Sequence, residues 1–114
     1  MACQITVREA QGVTVLDLKG GVVLAPDGKA LHEQVKRLVE QNKNKILLNV
    51  AEINHIDSTG LGEMVSGFSL VKKSGGQLKL ANATDKLKRI IRLTNLQAIL
   101  ENYASETEAL ASFK

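Results

Sequence analysis

The stretch that decides the fold runs Ile46-Leu47-Leu48-Asn49-Val50-Ala51-Glu52-Ile53-Asn54-His55-Ile56-Asp57-Ser58-Thr59-Gly60-Leu61-Gly62. Its first five residues are nearly all apolar and are bounded by polar turns, which predicts a short buried strand. Residues 53–57 read as the loop that leaves it. Leu61, Met64, Val65 and Phe68 then recur at helical spacing, so a helix is predicted to open around Ser58-Thr59-Gly60. Strand, loop and helix start in this order form one half of a crossover unit. In such sheets ligands and modifications sit past the carboxyl ends of strands.

Working back towards the N-terminus, Leu31, Val35, Leu38 and Val39 mark one face of an amphipathic helix. Ala25-Pro26-Asp27 reads as its start, with Asp27 as cap, and Asn42-Lys43-Asn44 as its end. Before it, Ile5 and Val7, then Val13, Val15, Leu16 and Leu18, form two β-like runs. Gln11-Gly12 supplies the turn between them, and Gly20-Gly21 ends the second.

Towards the C-terminus, Ser74-Gly75-Gly76 stops the second helix. Gln77-Leu78-Lys79-Leu80-Ala81 alternates with period two, as a half-buried strand does. A third helix runs from Thr84 with Leu87, Ile90 and Ile91, and a short last strand is expected between Leu96 and Tyr103, centred on Ala98 to Leu100. Ser105-Glu106-Thr107-Glu108 is a capping box opening a terminal helix that Leu110 and Phe113 would pack onto the body. The expected architecture is α/β: a mixed four- to five-stranded sheet packed with about four helices, one domain over residues 1–114.

Composition agrees with a folded chain. Of 114 residues, 44% are hydrophobic and 24% charged, near the average for a globular domain. Only 3% are aromatic (Phe68, Tyr103 and Phe113), so the core must be aliphatic and base stacking lacks its platforms. A net charge of +3 is too mild for a dedicated nucleic-acid binder. The single Cys3 cannot form an internal disulfide, no apolar run approaches a membrane span, and no signal peptide is visible. A cytoplasmic protein is expected.

Familiar chemical motifs fail. Gly28-Lys29-Ala30 lacks the Ser/Thr of a phosphate-binding loop, and Val23 stands where its first glycine belongs. Gly60-x-Gly62 is followed by Val65 where a dinucleotide fingerprint needs glycine. His55, Asp57 and Ser58 include hydrolase residue types without a Gly-x-Ser-x-Gly elbow. His32, His55 and Cys3 have no metal-ligand spacing, and His32 reads as a solvated helix residue. No cofactor is implied.

Three features keep a functional reading. Ser58 falls at a helix mouth, where Asp57 or Ser58 could cap the free amides and where the hydroxyl could also be modified. Gly62, Ser66, Gly67 and Ser69 leave the second helix with small side chains on one side, suited either to docking or to close packing. Lys72 to Arg92 holds seven cations opposed only by Asp85, which reads as a solvated face or as a basic patch for an acidic partner or membrane surface.

Asp57-Ser58-Thr59-Gly60-Leu61-Gly62 after an apolar strand resembles the signature of the STAS domain family, and most closely its bacterial anti-sigma factor antagonists. The resemblance extends from about Ile5 to Leu110 and includes Lys72-Lys73-Ser74-Gly75-Gly76-Gln77-Leu78 and Leu93-Thr94-Asn95-Leu96. It implies a non-enzymatic partner switch. The unmodified antagonist binds an anti-sigma factor that is also a serine kinase; phosphorylation of Ser58 releases it, and a phosphatase restores it. Asp57 would assist at the site, and Asp57, Ser58, Thr59, Gly60, Leu61 and Gly62 would meet the partner. One departure stands out. Many antagonists carry Gly-Glu-Leu-Asp after the second strand, whereas this chain has Gly20-Gly21-Val22-Val23, without acids at Gly21 and Val23. That departure and the basic stretch admit an alternative, a STAS accessory subunit of a transporter or a ligand-sensing scaffold.

Overall fold

The computed structural model describes residues 3–22, 30–56 and 58–113. A hairpin opens the chain: β1 (Cys3–Ala10) and β2 (Val13–Val22) pair antiparallel from Ala10↔Val13 to Cys3↔Gly20. Its two-residue turn needs positive φ at both positions, and Gln11 (53°) and Gly12 (80°) supply it. From there α1 (Ala30–Glu40), β3 (Lys45–Ile56), α2 (Ser58–Lys73), β4 (Gln77–Ala81), α3 (Asp85–Leu93) and β5 (Asn102–Tyr103) alternate, and α4 (Glu106–Ser112) ends the fold.

The five strands lie in chain order, β1-β2-β3-β4-β5, with every pair after the hairpin parallel. Three successive parallel links that step the same way across a sheet place their helices on one face. The larger core confirms it: Leu31, Val35 and Leu38 of α1, Leu61, Met64 and Val71 of α2, and Leu87 and Ile91 of α3 pack on Leu16, Leu18, Ile46, Leu48, Val50, Leu78 and Leu80. Removing each such leucine from water contributes about 2 kcal/mol. Among the described residues the opposite face carries only α4, where Ala109 and Leu110 cover Val13, Val15, Leu47 and Ala81, flanked by Tyr103 and Phe113.

Helix ends follow their sequence signals. Thr84 caps α3 by accepting from the Leu87 amide, and Ser105 caps α4 by accepting from the Glu108 amide at 3.2 Å. The proposed cap Asp27 lies outside the described residues. So does Val23, one of the two positions without an acid.

Three expectations are corrected. Gly20-Gly21 does not end β2: the strand continues to Val22, paired through two register shifts with Ile53, His55 and Ile56. For the same reason residues 53–56 are strand, not loop, and β3 reaches Ile56. The last strand lies within Leu96 to Tyr103 as expected, but at its end, Asn102–Tyr103, rather than around Ala98 to Leu100. Residues 97–100 turn instead, with the Leu100 amide bonded to the Leu96 carbonyl at 2.8 Å. Leu100 is 1% exposed, so its apolar character reflects a turn anchored in the core.

On the α4 face, Arg8 of β1 bridges two carboxylates. Its Nε donates to Asp17 Oδ2 at 2.7 Å and its Nη1 to Glu106 Oε2 at 3.0 Å. Asn49 donates to Asp17 at 2.8 Å and accepts from Asn82 at 3.2 Å, which extends the row across β2, β3 and β4. The hydrogen bonds from Arg8 hold both carboxyls below their usual range, and Glu106 with Asp17 raises the guanidinium. Depressed carboxylates stabilise the fold above the ordinary carboxylate pKa of about 4, and that contribution is lost as pH falls through their lowered values. Arg8→Met is therefore expected to cost about 1 kcal/mol at neutral pH, since the groups are partly exposed. Denaturant titrations should show the gap between variant and parent closing as pH drops below the carboxylate range. A gap independent of pH would show that Arg8 acts through packing alone.

Candidate functional site

The site forms where β3 hands over to α2. Only Asp57 separates Ile56, the last residue of β3, from Ser58, the first residue of α2. Asp57 lies outside the described residues. Ser58 and Thr59 occupy the opening turn, which offers free backbone amides and the positive end of the helix dipole. Among the described residues this turn carries no acidic side chain. Because α2 begins at Ser58, that residue is already helical.

Burial along α2 divides the helix cleanly. Gly60, Leu61, Glu63, Met64, Gly67 and Val71 are buried, whereas Gly62, Ser69, Lys72 and Lys73 are exposed. At about 100° per residue, Gly62 and Ser69 share one side of the helix with Lys72 and Lys73, and that side is exposed. Gly62 stands one turn after Ser58, and a Cβ built there would meet nothing within 4 Å. A partner can approach the backbone closely at that point. The described part of the motif thus separates into two groups: Gly60 and Leu61 belong to the core, and Gly62 to the surface.

The small-residue side divides too. Ser69 and Gly62 are exposed, but Gly67 is packed within α1–α2, its Cβ direction 3.4 Å from Val35 Cγ2. Ser66 Oγ lies 2.7 Å from His32 Nδ1, so His32 is a helix-bridging residue rather than a solvated one. Glu63 is a further residue of this cluster that no motif singles out. It is 7% exposed, and its Oε1 accepts from the His32 backbone amide at 3.1 Å. A carboxylate on an early amide of α1 offsets that helix dipole and holds the two helices together beside the site. Its only signal was an acid in phase with the buried side of α2.

The basic stretch loses one member. Lys79 turns onto the α4 face, where its Nζ donates to Ser112 O at 3.0 Å and Oγ at 2.9 Å, 5.1 Å from the Phe113 ring centre. There it neutralises the negative end of α4. Lys72, Lys73, Lys86, Lys88, Arg89 and Arg92 remain on the surface. Among the described residues no cluster of three or more His, Cys, Asp or Glu could hold a metal ion. No described helix is long and apolar enough to cross a membrane.

Comparison with known proteins adds the following. A family model described as the STAS domain matches residues 4–109. The anti-sigma-B factor antagonist of Bacillus subtilis (strain 168) is 38% identical over 71 residues, 62% of this chain and 64% of that protein. The chain thus aligns with less than two thirds of that relative's length. Among solved structures, an anti-sigma factor antagonist from Mycobacterium paratuberculosis superposes with a TM-score of 0.85 at 19% identity, covering 98% of this chain and 94% of that one. The Bacillus protein SpoIIAA in its phosphorylated form gives a TM-score of 0.72 at 18% identity, covering 96% and 97%. At these identities the structural likenesses establish the fold.

Proposed function

The chain belongs to the STAS domain family, and from that membership we propose that it is an anti-sigma factor antagonist, a regulatory protein rather than an enzyme, switched at Ser58. The observation that supports the reading is that α2 begins at Ser58 directly after β3, with the open Gly62 one turn further on. In this reading residues 1–114 work as one domain in the cytoplasm. The partner is an anti-sigma factor with serine kinase activity, and its occupation by this chain frees a sigma factor.

The chemistry of release is phosphoryl transfer. The Ser58 hydroxyl oxygen attacks the γ-phosphorus of ATP on the kinase, the bond to ADP breaks, and the hydroxyl proton passes to a base. Asp57, next in the chain, is the acidic neighbour proposed to assist. Asp57, Ser58, Thr59, Gly60, Leu61 and Gly62 make up the recognition segment: Gly62 and Ser58 at the contact, Gly60 and Leu61 fixing the helix start from within. The added phosphate carries about −1.5 to −2 charges at neutral pH. The helix dipole and free amides tolerate it, so the domain stays folded. A docked partner does not, because bulk and a poorly paired charge now lie in the interface. A loss of about 2.8 kcal/mol lowers affinity hundredfold, enough for release. A phosphatase that hydrolyses the ester resets the switch.

The test is a quantitative pull-down from lysate of the native organism, depleted of ATP, with unmodified protein and protein carrying phosphoserine at position 58 as baits. A protein with a kinase-type ATP-binding domain is expected on the first bait and absent from the second. Equal retention on both would remove Ser58 as the switch and favour a transporter subunit or scaffold.

A further inference from the structure

The chain has a second surface, one strand away from α2. Helix α3 buries Leu87 and Ile91 and turns Lys86, Lys88, Arg89, Arg92 and Leu93 outward. Its single acid, Asp85, lies 3.9 Å from Lys88, whereas Lys86, Arg89 and Arg92 have no ion-pair partner among the described residues. Leu93 is 75% exposed. Beside the helix runs an open groove of about 570 Å³, with Lys88, Ile91 and Arg92 on one wall and Gln97, Leu100 and Tyr103 on the other. Glu101, also on its rim, is already occupied by Lys79 at 3.6 Å and by the Tyr103 hydroxyl at 3.3 Å. The free charge along this surface is therefore positive.

We propose that α3 and its groove form a docking site for an acidic, partly apolar segment of a partner protein. The segment's carboxylates would pair with Lys86, Arg89 and Arg92, and an apolar side chain would enter the groove against Ile91 and Leu100. Charge complementarity selects the sign of the occupant. Its size follows from the spacing: the cations extend over about 9 Å of helix, more than one small anion can span. A lipid surface fits less well. An interfacial helix needs its own apolar face for the bilayer, and α3 has committed that face to the core, with Leu93 alone left outside. The inference is independent of the phosphorylation reading, since none of these residues lies in the β3–α2 segment.

The experiment titrates the isotope-labelled full chain with three probes: a peptide of repeated Glu-Glu-Leu units, its Lys-Lys-Leu counterpart, and phosphatidylglycerol vesicles. The acidic peptide is expected to shift the amides of Lys88, Ile91, Arg92 and Tyr103 saturably, and to do so less as salt is raised. The variant Lys86→Glu/Arg89→Glu/Arg92→Glu should weaken that binding by tenfold or more, with an unchanged unfolding midpoint confirming that it is folded. Should the triple variant lose stability, Arg92→Gln alone, an exposed change, serves for the same comparison. The proposal is overturned if the acidic peptide causes no saturable shift, if the shifts fall elsewhere, if charge reversal leaves them unchanged, or if only the vesicles bind.

Discussion

Ser58→Ala is expected to abolish labelling by the partner kinase and to leave the fold unchanged. The residue is the first of α2, and alanine has a higher helix propensity than serine. The variant should stay bound to the anti-sigma factor in the presence of ATP, whereas the parent is released as it is phosphorylated. Incorporation of labelled phosphate and intact-mass measurement read this out. Label retained at the same stoichiometry in the alanine variant would place the modification on another hydroxyl, with Thr59 the nearest.

The second large effect is structural. Gly76→Ala places a Cβ 2.0 Å from the Asn44 carbonyl oxygen and 2.6 Å from Asn44 Cβ. The obstacle is backbone, so no side chain can rotate away. The turn that closes α2 and the entry of β3 must separate, which breaks the bond from the Gln77 amide to Asn44 O, now 2.9 Å. We expect a loss of about 3 kcal/mol or more, with much of the variant insoluble. Gly75→Ala, by contrast, meets no atom within 4 Å and suffers only from a positive φ of 84°. It should cost about 1 kcal/mol. Equal midpoints in urea for the two variants would contradict the crowding argument.

These two glycines also show what the sequence makes legible. Ser74-Gly75-Gly76 marks a helix stop, and a stop is found, but nothing in the string separates a glycine needed for its φ from one needed for its missing Cβ. Periodicity located α1, α2, β4 and α3 because a one-sided core imposes it. It failed at β5, where Leu100 fills the core from a turn and only two residues pair. It failed again at Gly20-Gly21, because the parallel partner β3 keeps the backbone extended through residues that prefer turns. At the site, the motif told where a helix begins. It could not tell that Gly60 and Leu61 face inward while Gly62 lies open, since that division depends on how α2 is rolled against the sheet. Glu63 and Lys79 escaped for a related reason: each charge is matched by a group distant in sequence.

The strand order has a consequence for how the molecule comes into being. Because the sheet reads β1-β2-β3-β4-β5 from edge to edge, each strand is laid against the one made just before it. None has to be inserted between two neighbours already in place. A chain emerging from the ribosome can therefore build this sheet vectorially, with the hairpin as template and each crossover helix sealing the previous step. The tie between Arg8 and Glu106 joins β1 to α4, so it cannot form until everything from β1 to α4 has left the ribosome.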